Sequence, residues 1–161
     1  MRKKSTKPLR VVSETELLAP CGMYCGLCTS SLSKKYNIPR RRGIISYCEG
    51  CRPRDKQCSF VKKKCDLLLN HNIEYCYKCN DFPCKVLEKI EYSYNTKFNY
   101  SYSFIRAQKE IKEHGPSFVI DRLKKEFGCK KCGEILCIHN GLCYNCDKEQ
   151  LAVMKNYRNE N

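Results

Sequence analysis

The chemistry of this 161-residue chain lies in its 15 cysteines. Three of them open the pattern as Cys21-Gly22-Met23-Tyr24-Cys25-Gly26-Leu27-Cys28, spaced C-x3-C-x2-C, with a glycine after each of the first two. Thiolates at that spacing can curl around one metal ion or one iron–sulfur cluster, because glycine lets the backbone turn at positive φ without steric cost. Cys48-Glu49-Gly50-Cys51 follows as a knuckle pair, then Cys58 and Cys65, then Cys76-Tyr77-Lys78-Cys79 and the step Asp81-Phe82-Pro83-Cys84. A second module closes the chain. Cys129 and Cys132, then Cys143 and Cys146, form two C-x2-C knuckles with ten residues between them. This zinc-ribbon or zinc-knuckle spacing is the most specific metal signal present. All of these cysteines are expected metal ligands. Cys137 and His139, between the tail knuckles, could substitute, although a buried thiol and an exposed imidazole are the simpler readings. His71 could serve as a mixed ligand in the first module.

Metal fits the thiols better than disulfides do. The cysteine count is odd, C-x2-C pairs suit an ion, and the first 20 residues lack the apolar run of a secretory leader. A reducing, cytoplasmic setting is the expectation, and no segment is apolar enough for a membrane span. The ten cysteines of residues 21–84 do not divide by four. They make two four-cysteine sites with two thiols to spare, or draw in His71. Zinc, about three ions in all, is the expected cofactor. A 4Fe–4S cluster in the first module is the alternative, because thiolates bind both and spacing discriminates poorly. The opening triad is also the cluster signature of radical S-adenosylmethionine enzymes, but the chain after Cys28 is too short for their partial barrel and shows no βα repeat. His71, His114 and His139 are scattered without Ser or Asp companions, and all-cysteine sites are usually closed. The balance is against an enzyme.

The elements that must position these thiols are short and mostly helical. Aliphatic residues are sparse and tryptophan is absent, so burial alone offsets conformational entropy poorly. Structural zinc can make up the difference, on the order of 10–16 kcal/mol per ion in peptide systems. Residues 1–12 read as a basic flexible arm. Ser13 and Glu16 resemble a capping box opening a short turn. Residues 29–38 suit a short helix, and 58–71 a longer one with Lys62, Lys63 and Lys64 on its outer face. Pro83 is expected at the first position of the next helix, and residues 92–103 as a tyrosine- and serine-rich connector. Helical spacing returns at 103–113, from Pro116 to Phe127, and at 147–157. The expected fold is a small, metal-stabilised, mainly α protein with irregular cysteine-rich loops and a C-terminal zinc ribbon or knuckle. Its segments are the arm (1–12), a cysteine-rich metal-binding domain (13–91), a helical connector (92–128) and the zinc-ribbon-like module with a terminal helix (129–161).

Read as a run, the CG-x2-C-x2-C opening from Cys21, the Cys48-Glu49-Gly50-Cys51-Arg52 pair and the Cys79-to-Cys84 closing step resemble a cysteine-rich bacterial and archaeal family, domain of unknown function 3795, over about residues 20–90. One departure is visible: Val61 stands near where relatives often carry a further cysteine. The resemblance implies a small zinc-binding protein and supplies no activity.

The formal charge of +14 falls to about +8 once three tetrathiolate zincs, roughly −2 each, are counted. The surface stays basic through the arm, Arg40–Arg42, Lys62–Lys64 and Lys130–Lys131. The expected function is a non-catalytic zinc-binding interaction module. A protein partner comes first, RNA or DNA is open through the basic surface, and an iron–sulfur redox or accessory protein is the alternative.

Overall fold

The structure is a computed structural model and describes residues 11–55, 60–98 and 100–154. Most of the basic arm, Cys58, and the end of the helix expected over 147–157 lie outside the described residues. Helices account for the regular structure: α1 (Thr29–Lys35), α2 (Phe60–Lys63), α3 (Asp66–Leu69), α4 (Lys85–Lys97), α5 (Phe104–His114), α6 (Pro116–Glu126) and α7 (Lys148–Val153). Among the described residues β-pairing is limited to isolated bridges, so the expected mainly α class holds. No helix among them is long and apolar enough to cross a membrane.

Local signals behave as their chemistry requires. Ser13 N–H donates to Glu16 Oε2 at 2.9 Å and Glu16 N–H to Ser13 Oγ at 3.4 Å, the reciprocal box of a helix start. It opens a single 3₁₀ turn, Thr15–Leu17. Gly115 ends α5, and Pro116 sits in the first turn of α6, where its missing N–H costs nothing. Arg122 of α6 donates to Glu110 of α5 at 2.8 Å, pinning the two helices together.

Three expectations need correction. The helix expected over 58–71 is broken into α2 and α3, with Cys65 extended between them (φ −132°, ψ 105°). Such short pieces have little intrinsic helicity, so packing decides: Val61 and Leu68 both bury. Lys62, expected to face solvent, is buried and ion-paired to Asp55. Pro83 does not open α4. Its peptide bond with Phe82 is cis, Cys84 takes the N-cap, and the helix begins at Lys85. That helix then runs to Lys97, so half of the expected tyrosine-rich connector is helical.

Two apolar clusters hold these pieces. The larger gathers Leu18, Leu27, Leu87, Phe104, Leu123 and Ile138, among others. The smaller joins Leu32 of α1, Ile38 and Ile45, and the tail residues Cys137, Tyr144 and Leu151. Side chains from all three segments, 13–91, 92–128 and 129–161, therefore share buried surface.

The opening cysteine loop meets α5 closely. Gly22 has φ +94°, and a Cβ there would stand 3.0 Å from Gln108 Nε2 and 3.2 Å from the Phe104 carbonyl oxygen. Gly43 has φ +75° but open space around it. Gly43→Ala is expected to cost only the backbone strain of about 1–2 kcal/mol. Gly22→Ala should cost a further ~1–3 kcal/mol for the forced displacement. Denaturant titration of the two variants measures the difference.

Candidate metal centres

The clearest site is in the tail. Cys129, Cys132, Cys143 and Cys146 bring their four sulfurs within 4.8 Å of one another, with Cys132 Sγ and Cys143 Sγ 3.6 Å apart. Among the described residues this is the one group of potential ligands gathered so tightly. The group could hold a metal ion.

Backbone bonds build it. Gly133 N–H donates to the Cys129 carbonyl at 2.8 Å and Cys129 N–H to the Glu134 carbonyl at 2.7 Å, closing the first knuckle. Leu136 N–H bonds the Phe127 carbonyl and Cys137 N–H the Leu142 carbonyl, so the chain folds back twice to deliver the second knuckle. Asp147 Oδ2 accepts from Cys143 N–H at 2.8 Å and fixes that knuckle in turn. Between Cys143 and Cys146, Tyr144 is wholly buried in the smaller core, which ties the site to α1. Cys129 and Cys143 are buried, whereas Cys132 and Cys146 are exposed.

The two exposed thiols, Cys132 and Cys146, do not titrate alike. The backbone N–H of Glu134, and after it the Cys146 side chain, hold the Cys132 thiol down to about 7. Cys146, hydrogen-bonded to Cys132, is pushed up to about 12. One sulfur of the set is thus ready as a thiolate near neutral pH, the form that binds metal.

The cysteines of residues 21–84 are drawn together less tightly, in two neighbourhoods. Cys76 is surrounded by Cys21, Cys65, Cys84 and Cys79. Burial pushes its thiol up, and charge on those four adds to the shift. Cys25 lies against Cys51, whose N–H donates to Cys25 Sγ at 3.4 Å. Cys28 lies near Cys48 and Cys137. Cys58 is outside the described residues. His71 pairs with Asp55 at 3.3 Å on the surface.

His139 is not the exposed imidazole that was expected. It is half-buried, with both ring nitrogens engaged. Thr29 N–H donates to Nδ1 at 3.3 Å, which leaves the ring proton on Nε2, 3.2 Å from the Tyr94 hydroxyl. Cys137 is buried as expected, 3.3 Å from Thr29 Oγ1. These residues join the tail to the start of α1.

Three further side chains organise the loops. Tyr102 is buried, donates to the Gly22 carbonyl at 2.6 Å and accepts from Tyr24 N–H at 3.2 Å. Gln108 is fully buried, donates to the Pro20 carbonyl at 3.0 Å and accepts from Tyr77 N–H at 2.9 Å. It thereby holds the Cys21 and Cys76 loops side by side. Arg52 donates to the carbonyls of Leu18 at 2.6 Å and Glu74 at 2.9 Å, and its guanidinium lies 4.4 Å from the Tyr75 ring centroid. The tyrosine-rich stretch hinted at Tyr102 and the C-x-G-C-R pair at Arg52. Nothing in the sequence marks Gln108.

Elemental analysis of purified variants separates ligand from neighbour in the tail. Cys143→Ser is expected to lose one metal ion per chain. Cys137→Ser is expected to keep the full complement, because its sulfur bonds Thr29 outside the quartet.

Neither a curated protein nor a solved structure matches this chain. The tail quartet rests on its own geometry, whereas residues 17–89 match the model of the family described as "Protein of unknown function (DUF3795)", the family that the cysteine run resembles.

Proposed function

We propose that the chain is a non-catalytic zinc-binding protein acting as an interaction module for an acidic partner, protein or nucleic acid. The four-thiol tail group carries this reading. Four thiolates are the full tetrahedral complement of a structural zinc, whereas a catalytic zinc needs a position open to water or substrate. Sulfur-only tetrahedral sets select zinc or iron, and the closed C-x2-C pair of knuckles is the usual zinc arrangement.

The partner reading rests on a cleft of about 730 Å³ beside α1. Arg40, Arg42 and Arg54 line it with Thr29, Ser30 and Ser46. Arg40 lies 4.4 Å from the Tyr47 ring centroid, which presents its guanidinium as a flat cation. The third arginine of the run is spent on structure: Arg41 donates to the carbonyls of Leu151 and Ala152 at 2.8 and 2.9 Å, closing the end of α7.

Metal analysis of protein purified without added metal is expected to find zinc and no iron. A brown, iron-containing preparation would contradict the zinc reading and favour the 4Fe–4S alternative. For the partner, titration with single-stranded RNA and duplex DNA across a salt series distinguishes the classes. A nucleic-acid partner gives a log–log slope of about −0.9 per phosphate contacted on duplex DNA, and Arg42→Ala lowers that slope by about one. Absence of binding at low salt overturns the nucleic-acid reading.

A further inference from the structure

The three cysteines of the opening stretch are close in sequence, yet the chain sends them in two directions. Between Cys21 and Cys25 the Tyr102 hydroxyl occupies the inside of the loop, bonded to the Gly22 carbonyl and to Tyr24 N–H. On one side of it, Cys76 N–H donates to the Pro20 carbonyl at 3.0 Å. Gln108 bonds that same carbonyl and Tyr77 N–H. Cys21 is thereby fixed beside Cys76.

On the other side, two knuckles face each other. Cys28 N–H donates to the Cys25 carbonyl at 3.0 Å, closing the first. Gly50 N–H donates to Cys48 Sγ at 3.4 Å, closing the second around a residue at φ +110° that only glycine takes easily. Cys51 N–H reaches across to Cys25 Sγ at 3.4 Å, and Cys48 N–H bonds the Ser30 carbonyl at 3.1 Å, just beyond Cys28. Backbone N–H groups aimed at sulfur favour the thiolate and orient it, as outer-shell donors do around a bound ion.

We propose that Cys25, Cys28, Cys48 and Cys51 form one four-thiolate metal site, and that Cys21 belongs to a separate centre around Cys76. This deepens the metal-binding reading above and rests on it. The opening triad is thus shared between two interleaved centres. No three of these four sulfurs lie within 4.8 Å of one another, whereas all four of the tail do, so a bound ion would have to draw the side chains together across knuckles already set opposite. Arg52, directly after Cys51, holds the second knuckle to the Leu18 and Glu74 carbonyls.

Native mass spectrometry of the full chain reconstituted with zinc alone tests the pairing. Cys25→Ser and Cys51→Ser are each expected to lose one ion, and the double variant no more than one. The pairing is overturned if the Cys25/Cys51 double variant loses two. Should the variants fail to fold, cadmium-substituted wild-type chain gives the same answer by NMR. Through-bond couplings from one cadmium to the β-protons of Cys25, Cys28, Cys48 and Cys51 support the site, and couplings from one cadmium to Cys21, Cys25 and Cys28 overturn it. The metal found in the native protein is read separately: iron in place of zinc contradicts the zinc reading and leaves the pairing standing.

Discussion

One buried amide sets the geometry on which the cysteine loops depend. Gln108 lies fully inside the protein on α5 and spends both ends of its side chain on backbone, the Pro20 carbonyl and Tyr77 N–H. Buried polar groups are rarely left unpaired, and each left unpaired costs about 1–3 kcal/mol. The amide and the two loop segments therefore require one another. Tyr102 repeats the device one loop over, bonding Gly22 and Tyr24. Between them these side chains fix the exit directions of Cys21, Cys25 and Cys76, and the close approach of Gly22 to Phe104 and Gln108 leaves the loop no slack.

Helices and cysteine loops therefore depend on each other. The loops contain little regular structure of their own, and several of their backbone donors and acceptors are satisfied by α5 and its flank. The helices in turn bury Phe104, Ala107 and Ile111 against loop residues such as Leu18, Met23 and Cys76. The tail follows the same rule with a different partner. Its buried Tyr144 and Cys137 pack on Leu32, while His139 is held between Thr29 and Tyr94. A chain poor in aliphatic side chains stays folded by letting each loop borrow its partners from a distant segment, with metal as the expected closure of each cysteine group.

Much of this was legible in the sequence, and the reasons are local. The Ser13–Glu16 box, the Gly115-Pro116 junction and the helical periodicity of α5 and α6 are signals within a few residues of where they act. The tail knuckles are equally local, and their four sulfurs meet. What escaped depends on distance. Gln108 is an ordinary helical residue until Pro20 and Tyr77 arrive, 88 and 31 residues away in sequence. Lys62 reads as a surface lysine until Asp55 and the break at Cys65 turn it inward. His139 reads as exposed until Thr29 and Tyr94 enclose it. The match of residues 17–89 to the family model falls on the stretch whose cysteine spacings carried the resemblance.

The central claim is that bound metal and the α5 contacts hold the cysteine loops as one unit. Amide hydrogen exchange before and after metal removal by a chelator tests it most directly, read at Tyr24 and Tyr77, whose N–H groups bond Tyr102 and Gln108. The account predicts strong protection in the metal-bound protein and loss of protection at both sites together once metal is removed. Full protection at both amides in the metal-free chain would contradict it, and would leave the helices alone as the source of the fold.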